Sequence, residues 1–532
     1  FYERRIRRII PLVLFTTSIA FLLGLIFMLP DDLENLCQSV VASNFSANNI
    51  LMKITSENYW AVKNDYKPLM HTWSLGIEEQ FYLIYPFIFF LFKGEKRRFI
   101  FPLLVTLTAL SLILFLLSNN SSSKFYFLQY RFFELSIGGL GAIYFSNRAL
   151  LTSFAKSSYI LYVFLFVLLF ILYSNSSLGN DNKILLVTAL TSGILILGKV
   201  HFAKNATYRA LLSNKVFRGI GKISFSLYLW HHIVFAFSRY FLLEKITFKY
   251  AAILSIFVVL LSILSFYLIE NPFRNKKLLK TRRLLIITSL TCAIITISSL
   301  YVYVVGGIIK DVPELGISMA NRPAQLNFFD SRNNINIQYN ENVRALDKPF
   351  SQKSGQIRIL VIGNSFGRDV SNILLESTFK DKIELRYSDL VSKQSEKELK
   401  SRFQNADFIL FASNYPTKNL IRTYNINMNK VTIVGTKDFG NSNGIHYNRK
   451  IEDYENYRTL MKTGVFEQNS KAKKEWGEKY IDLISLIADP VGRVLVFTPD
   501  GKFISQDTVH LTKFGAKFFA KLLENKFKLL FK

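Results

Sequence analysis

The chain has 532 residues, half of them hydrophobic and 49 of them Phe, with 66 Lys and Arg against 38 Asp and Glu for a net charge of +28 and a mean hydropathy of +0.22. That apolar content excludes an ordinary soluble protein of this length. The densest basic clusters each abut an apolar run, so the positive excess reads as membrane topology signal and not as a nucleic-acid surface. With only Cys37 and Cys292, no disulfide framework is available.

In chain order, the opening Phe1-Tyr-Glu-Arg4-Arg5-Ile-Arg7-Arg8-Ile-Ile-Pro11 carries no initiator Met and no cleavable leader, and is expected to be a truncated start. Stretches of roughly 17–25 apolar residues give about nine candidate spans, near 9–29, 77–93, 99–117, 128–146, 158–173, 183–198, 223–243, 249–269 and 284–305. If Arg4 to Arg8 are cytoplasmic, alternation places Lys93–Arg98, Asn147–Ser158, Lys199–Lys222 and Glu270–Arg283 inside as well. These loops hold nearly all the basic loop residues. The ninth span then delivers the rest of the chain to the extracytoplasmic side. The expected division is a membrane domain at 1–282, an added span at 283–305, a linker at 306–355 rich in Asn, Arg and Gln, and an α/β domain at 356–532. Short β-branched runs at Ile357–Gly363, Ile383–Tyr387, Phe408–Ala412, Val431–Gly435 and Val494–Phe497 alternate with helix-permissive stretches and predict a parallel sheet covered by helices.

Within that domain, Ile357-Arg-Ile-Leu-Val-Ile-Gly363-Asn364-Ser365-Phe366-Gly367 is a buried-type strand running into a Gly-flanked Ser. A tight turn at a strand's carboxyl end exposes a hydroxyl, and glycine lets substrate and backbone donors approach. A Ser needs a base to act as nucleophile, and Asp507-Thr-Val-His510 supplies Asp and His three apart just before a C-terminal helix. His510 is expected to take the Ser365 proton while Asp507 holds the imidazole tautomer. Backbone at the Gly363 turn and the Asn414 side chain are the oxyanion candidates. Taken singly, a Gly-x-Ser is often a simple turn and an Asp-x-x-His a surface feature; chain order and placement at element edges argue for the triad. In the membrane half, His71, Glu79, Glu134 and His231 are the ionisable residues singled out. The bland readings are an intramembrane Arg131–Glu134 pair, a helix-bridging His, and an aromatic belt with Tyr228 and Trp230. The Arg4, Arg5, Arg7 and Arg8 forks suit the phosphates of a coenzyme A, with topological anchoring as the plain alternative. No metal or bound cofactor is expected.

The Gly363-Asn-Ser365 and Asp507-x-x-His510 blocks resemble those of SGNH hydrolases, with Gly363-Asn364-Ser365-Phe366 standing where that family has Gly-Asp-Ser-His and Ala412-Ser413-Asn414 where it has Gly-x-Asn-Asp. The opening Arg-rich segment, His71-Thr-Trp-Ser-Leu-Gly-Ile-Glu78-Glu79-Gln80-Phe-Tyr82, Arg131-Phe-Phe-Glu134, Ser226-Leu-Tyr228-Leu-Trp230-His231 and Glu270-Asn-Pro272-Phe-Arg274 resemble the acyltransferase-3 family of membrane acyltransferases. The fused arrangement is similar to the O-antigen acetylases of Gram-negative bacteria. The resemblance implies a multi-pass inner-membrane enzyme with a periplasmic SGNH-type domain of flavodoxin-like sheet. It would take an acyl group from acetyl-CoA to a hydroxyl of a surface polysaccharide such as lipopolysaccharide O-antigen. Peptidoglycan or exopolysaccharide acetylation, a membrane-tethered carbohydrate esterase or deacetylase, and a sugar-binding transporter or flippase are the alternatives. Members of the family carry further spans ahead of the Arg-rich segment, with a His regarded there as catalytic that has no counterpart here.

Overall fold

In hydrocarbon each backbone amide must be bonded within its own segment, so a chain this apolar is expected to be helical through its first half. A computed structural model describes residues 1–56, 64–92, 94–144, 159–174, 179–204, 214–242, 246–321, 335–351, 355–389, 396–412, 417–440, 443–448 and 453–531. The chain divides into two compact units, one of residues 1–22, 38–236 and 247–299, the other of residues 23–37, 237–246 and 300–532.

The main helices of the first half are α1 (Tyr2–Phe27), α2 (Pro30–Asn44), α3 (Asn48–Ser56), α4 (Trp73–Leu91), α5 (Ile100–Leu117), α6 (Ser121–Tyr126), α7 (Leu128–Tyr144), α8 (Tyr159–Tyr173), α9 (Asn180–Lys204), α10 (Lys215–Ser238), α11 (Phe248–Ser265) and α12 (Thr281–Val304). Among the described residues, five helical stretches are long and apolar enough to cross a membrane: Tyr2–Phe27, Gly94–Leu117, Asn180–Gly198, Phe248–Arg274 and Thr281–Val304. The other expected spans are helices too. However, α8 is short, α4 carries Glu78, Glu79 and Pro86, and α10 carries Lys215, Arg218 and Lys222. Large apolar side chains such as Leu117, Phe166, Phe248 and Ile256 are exposed, as lipid-facing positions are.

In the second unit the first strand, β1 (Ile357–Ile362), sorts its side chains by the two-residue strand period. Ile359 and Val361 join the core under Val370, Ile373 and Leu374, whereas Leu360 and Ile362 pack with Phe403, Phe411 and Ile433 on the other face. Because both faces are covered, the buried part of the strand, Ile359 to Ile362, is apolar, and the one charged residue, Arg358, lies at its less buried start. It pairs in parallel with β2 (Ile383–Ser388) and β3 (Phe408–Ala412), and β3 with β4 (Val431–Val434). The remaining strands are β5 (Arg458–Leu460), β6 (Tyr480–Ile481) and β7 (Arg493–Leu495), giving a sheet order β2-β1-β3-β4-β6, the doubly wound flavodoxin-type order. The expected fifth strand at Val494–Phe497 lies elsewhere: β7 pairs antiparallel with β5, and two-residue β6 takes the sheet edge. The stretch read as a linker also contributes structure. Ile335–Glu341 is helical, and Asn340 within it and Val343 just beyond it are buried.

Candidate active site

The parallel order reverses between β1 and β3, and crevices at the carboxyl ends of strands at such a switch point are where doubly wound folds bind ligands. Ser365 stands there. It opens α13 (Ser365–Leu375), whose N-cap is Asn364, the side-chain oxygen accepting the Phe366 amide at 3.0 Å. The cap explains why Asn serves between Gly363 and Ser365: it satisfies one of the first-turn amides and fixes the entry of the chain into the helix. Gly363 is required by space. A Cβ there would lie 2.6 Å from the Ala412 Cβ and 3.0 Å from the Gly367 backbone, and its amide donates to the Ser388 carbonyl at 3.0 Å.

Across 145 positions of sequence, His510 Nε2 lies 2.8 Å from Ser365 Oγ, and its Nδ1 faces the Asp507 carboxylate. Asp507 Oδ1 accepts the amides of His510 at 2.7 Å and Val509 at 3.0 Å, closing a local turn that presents the imidazole. Ser365 is 1% exposed and His510 9%, whereas the Asp507 side chain keeps 41% of its surface open. Crowding by protein pushes the Asp507 carboxyl up, but the facing His510 and the two amides outweigh it and hold the group at about 2. It is therefore an anion wherever the protein is folded and near neutral pH. Thr508, between Asp507 and the histidine, has φ 76°, a left-handed conformation that a β-branched residue adopts only under constraint. Its carbonyl accepts the Phe439 amide at 2.8 Å.

The arrangement can do nucleophilic acyl chemistry. The imidazole acceptor faces the serine proton and the carboxylate fixes the opposite nitrogen as donor. Asn414, expected as a further oxyanion donor, lies outside the described residues. Among those described, no cluster of His, Cys, Asp and Glu could hold a metal ion.

In the first unit the expected residues fall into three places. Arg7 is buried, its guanidinium donating to the Phe273 carbonyl at 3.1 Å, the Leu279 carbonyl at 2.8 Å and Thr281 Oγ1 at 3.1 Å while pairing with Glu3 at 3.0 Å. Arg4 and Arg8 are exposed; Arg5 lies 3.9 Å from the Tyr82 ring centroid, beside Glu78 and Glu79. Glu134 pairs with Arg131 at 2.8 Å, the guanidinium lying over Trp73 at 5.2 Å. His71, His231 and His232 form a group with ring centroids 5.2–6.1 Å apart, joined by Tyr228, whose hydroxyl donates to the His71 carbonyl at 2.5 Å. Burial, and then the neighbouring His232 and His231, hold the His71 imidazole well below its ordinary range. The sequence alone does not single out Ser74, whose hydroxyl meets Tyr228 at 2.8 Å; its adjacency to Trp73 and closeness to His71 are the available signal.

The profile of the family described as "Acyltransferase domain" matches residues 1–270. The O-acetyltransferase OatA of Staphylococcus aureus, in strains NCTC 8325 / PS 47, COL and MRSA252, is 28% identical over 293 residues, covering 52% of this chain and 47% of the relative. The chain thus spans about half the length of the curated relatives it matches. No solved structure matches it significantly.

Proposed function

The chain belongs to the acyltransferase domain family, and from that premise we propose that it is a membrane O-acetyltransferase that ends its reaction on Ser365. The observation carrying this reading is the Ser365–His510–Asp507 constellation, with a 2.8 Å contact between the nucleophile and its base. Acetyl-CoA is the proposed donor on the cytoplasmic side, with Arg4, Arg5 and Arg8 as candidate phosphate contacts and Arg7 bracing the helix that carries them. Free coenzyme A leaves as the thiol, and the membrane half conveys the acetyl group outward. His71, Glu79, Glu134 and His231 are the proposed functional groups of that half.

At the triad, Ser365 Oγ attacks the acetyl carbonyl while His510 Nε2 takes its proton. The tetrahedral oxyanion is held by backbone amides beside Gly363 and Ser365, with Asn414 as the proposed further donor. The group of the membrane half that took the acetyl from coenzyme A and carried it outward then leaves with the proton from His510. In the second half a hydroxyl of a surface polysaccharide, for instance O-antigen, gives its proton to His510 and attacks acetyl-Ser365, which releases the O-acetyl sugar and restores the serine. The near-complete burial of Ser365 supports transfer over hydrolysis, because excluding water protects the acyl-enzyme. We place the protein in the inner membrane with an SGNH-type domain on the periplasmic side.

The test is to express the protein in a strain lacking the activity and compare it with Ser365→Ala. Ester-linked acetate on purified polysaccharide is measured. Acetate lost only in the variant supports the reading; equal acetate in both sinks it and moves the transfer into the membrane half. A membrane-tethered carbohydrate esterase would use the same triad, and would lower surface acetate with no need of acetyl-CoA.

A further inference from the structure

Behind the triad lies an ion pair that the chemistry above does not use. Lys437, which follows β4, has a side chain 2% exposed, and its ammonium sits 2.5 Å from the carboxylate of Asp369, which is fully buried. Two charges taken out of water cost more than a hydrophobic pair of the same volume unless their remaining hydrogen bonds are well placed. Here those bonds, apart from one from Asn340, end beside a triad residue. Lys437 Nζ also donates to the Val509 carbonyl at 2.6 Å and lies 3.9 Å above the Phe366 ring. Asp369 Oδ1 accepts the Leu511 amide at 3.2 Å and the Asn340 amide group at 2.6 Å. Val509 and Leu511 flank His510, Phe366 follows Ser365, and Asp369 lies one helical turn beyond Ser365 on α13.

We propose that Lys437 and Asp369 are positioning residues that clamp the backbone on both sides of His510 to the helix bearing Ser365, setting the Nε2 to Oγ distance. The clamp acts through His510 and touches no substrate. Its form answers a specific need. The His510 turn contains Thr508 in a left-handed conformation and an Asp507 open to solvent on one side, so the turn's own bonds do not anchor it to α13. An apolar pair could fill the same volume, but it could not hold a carbonyl at 509 and an amide at 511 together. Misplacing a catalytic base by about 1 Å costs on the order of 10²-fold in rate.

This inference rests on Ser365 being the nucleophile, and the experiment separates the two. The full chain, purified in detergent, is assayed for release of 4-nitrophenolate from 4-nitrophenyl acetate, taking Ser365→Ala as the background. Lys437→Met is expected to lower the Ser365-dependent kcat about 10²-fold with KM within about twofold. The double variant Lys437→Met, Asp369→Asn removes both charges, so its melting temperature should return toward wild type while kcat stays low. A kcat that recovers together with stability in the double variant, or one unchanged in Lys437→Met, overturns the clamp and leaves Ser365 in place. Wild-type activity no higher than Ser365→Ala overturns both.

Discussion

Replacing Asp507 by Asn isolates one step of the proposed chemistry. The amide keeps an oxygen for the His510 and Val509 amides, now held at 2.7 Å and 3.0 Å, so the turn should persist. What disappears is the negative charge opposite Nδ1, which steadies the imidazolium as Ser365 loses its proton. Unit charges about 4 Å apart at an effective dielectric of about 20 attract by about 4 kcal/mol. Because the Asp507 side chain is 41% exposed, solvent screens part of this, and a range from about half to the full figure is the reasonable expectation. At about 1.4 kcal/mol per decade, kcat should fall between about 30-fold and about 10³-fold, with KM little changed. The assay is Ser365-dependent hydrolysis of 4-nitrophenyl acetate by the full chain in detergent. A kcat within about threefold of wild type, with the melting temperature preserved, would refute the role assigned to the carboxylate.

Three further outcomes follow from the same geometry. The Asp507 carboxyl is held at about 2 against an ordinary 3.8, so the folded chain binds that proton less readily than the unfolded chain. Its stabilising effect is complete above the unfolded value and is lost as pH falls through the folded one. The melting-temperature difference between wild type and Asp507→Asn should therefore shrink on acidification across that window, and a widening gap would contradict the assignment. Gly363→Ala would drive a Cβ to 2.6 Å from Ala412 and 3.0 Å from Gly367. A cost of about 1–3 kcal/mol, read as a lower melting temperature, is expected together with slower turnover; an unchanged melt and rate would show that the turn relaxes freely. Arg7→Lys loses the planar fork that reaches Phe273, Leu279 and Thr281 at once. Heat stability in detergent should drop by about 1–3 kcal/mol, while Arg4→Ala and Arg8→Ala leave it near wild type; the reverse ranking would place the structural weight on the exposed arginines.

Much of this protein was legible in one dimension because the signals are local. Apolar runs long enough to cross a bilayer need only composition, and β1 with its Gly363–Ser365 turn needs only a strand period followed by glycine. Asp507 and His510 sit three apart and meet within one turn, so their pairing too is written in adjacent residues. The tertiary structure decided everything that depends on distant partners. It brought Ser365 to 2.8 Å from His510, buried Arg7 against carbonyls some 270 positions away, and gave the sheet edge to Tyr480–Ile481 in place of the more apolar segment at Val494–Phe497. It also drew Asn340 out of a stretch with no periodicity and set Lys437 against Asp369. The physical reason is common to these cases. A charge, a carbonyl or a two-residue strand has no preferred partner until the chain closes around it, and the cost of leaving such groups buried and unpaired selects the partner only in the folded state.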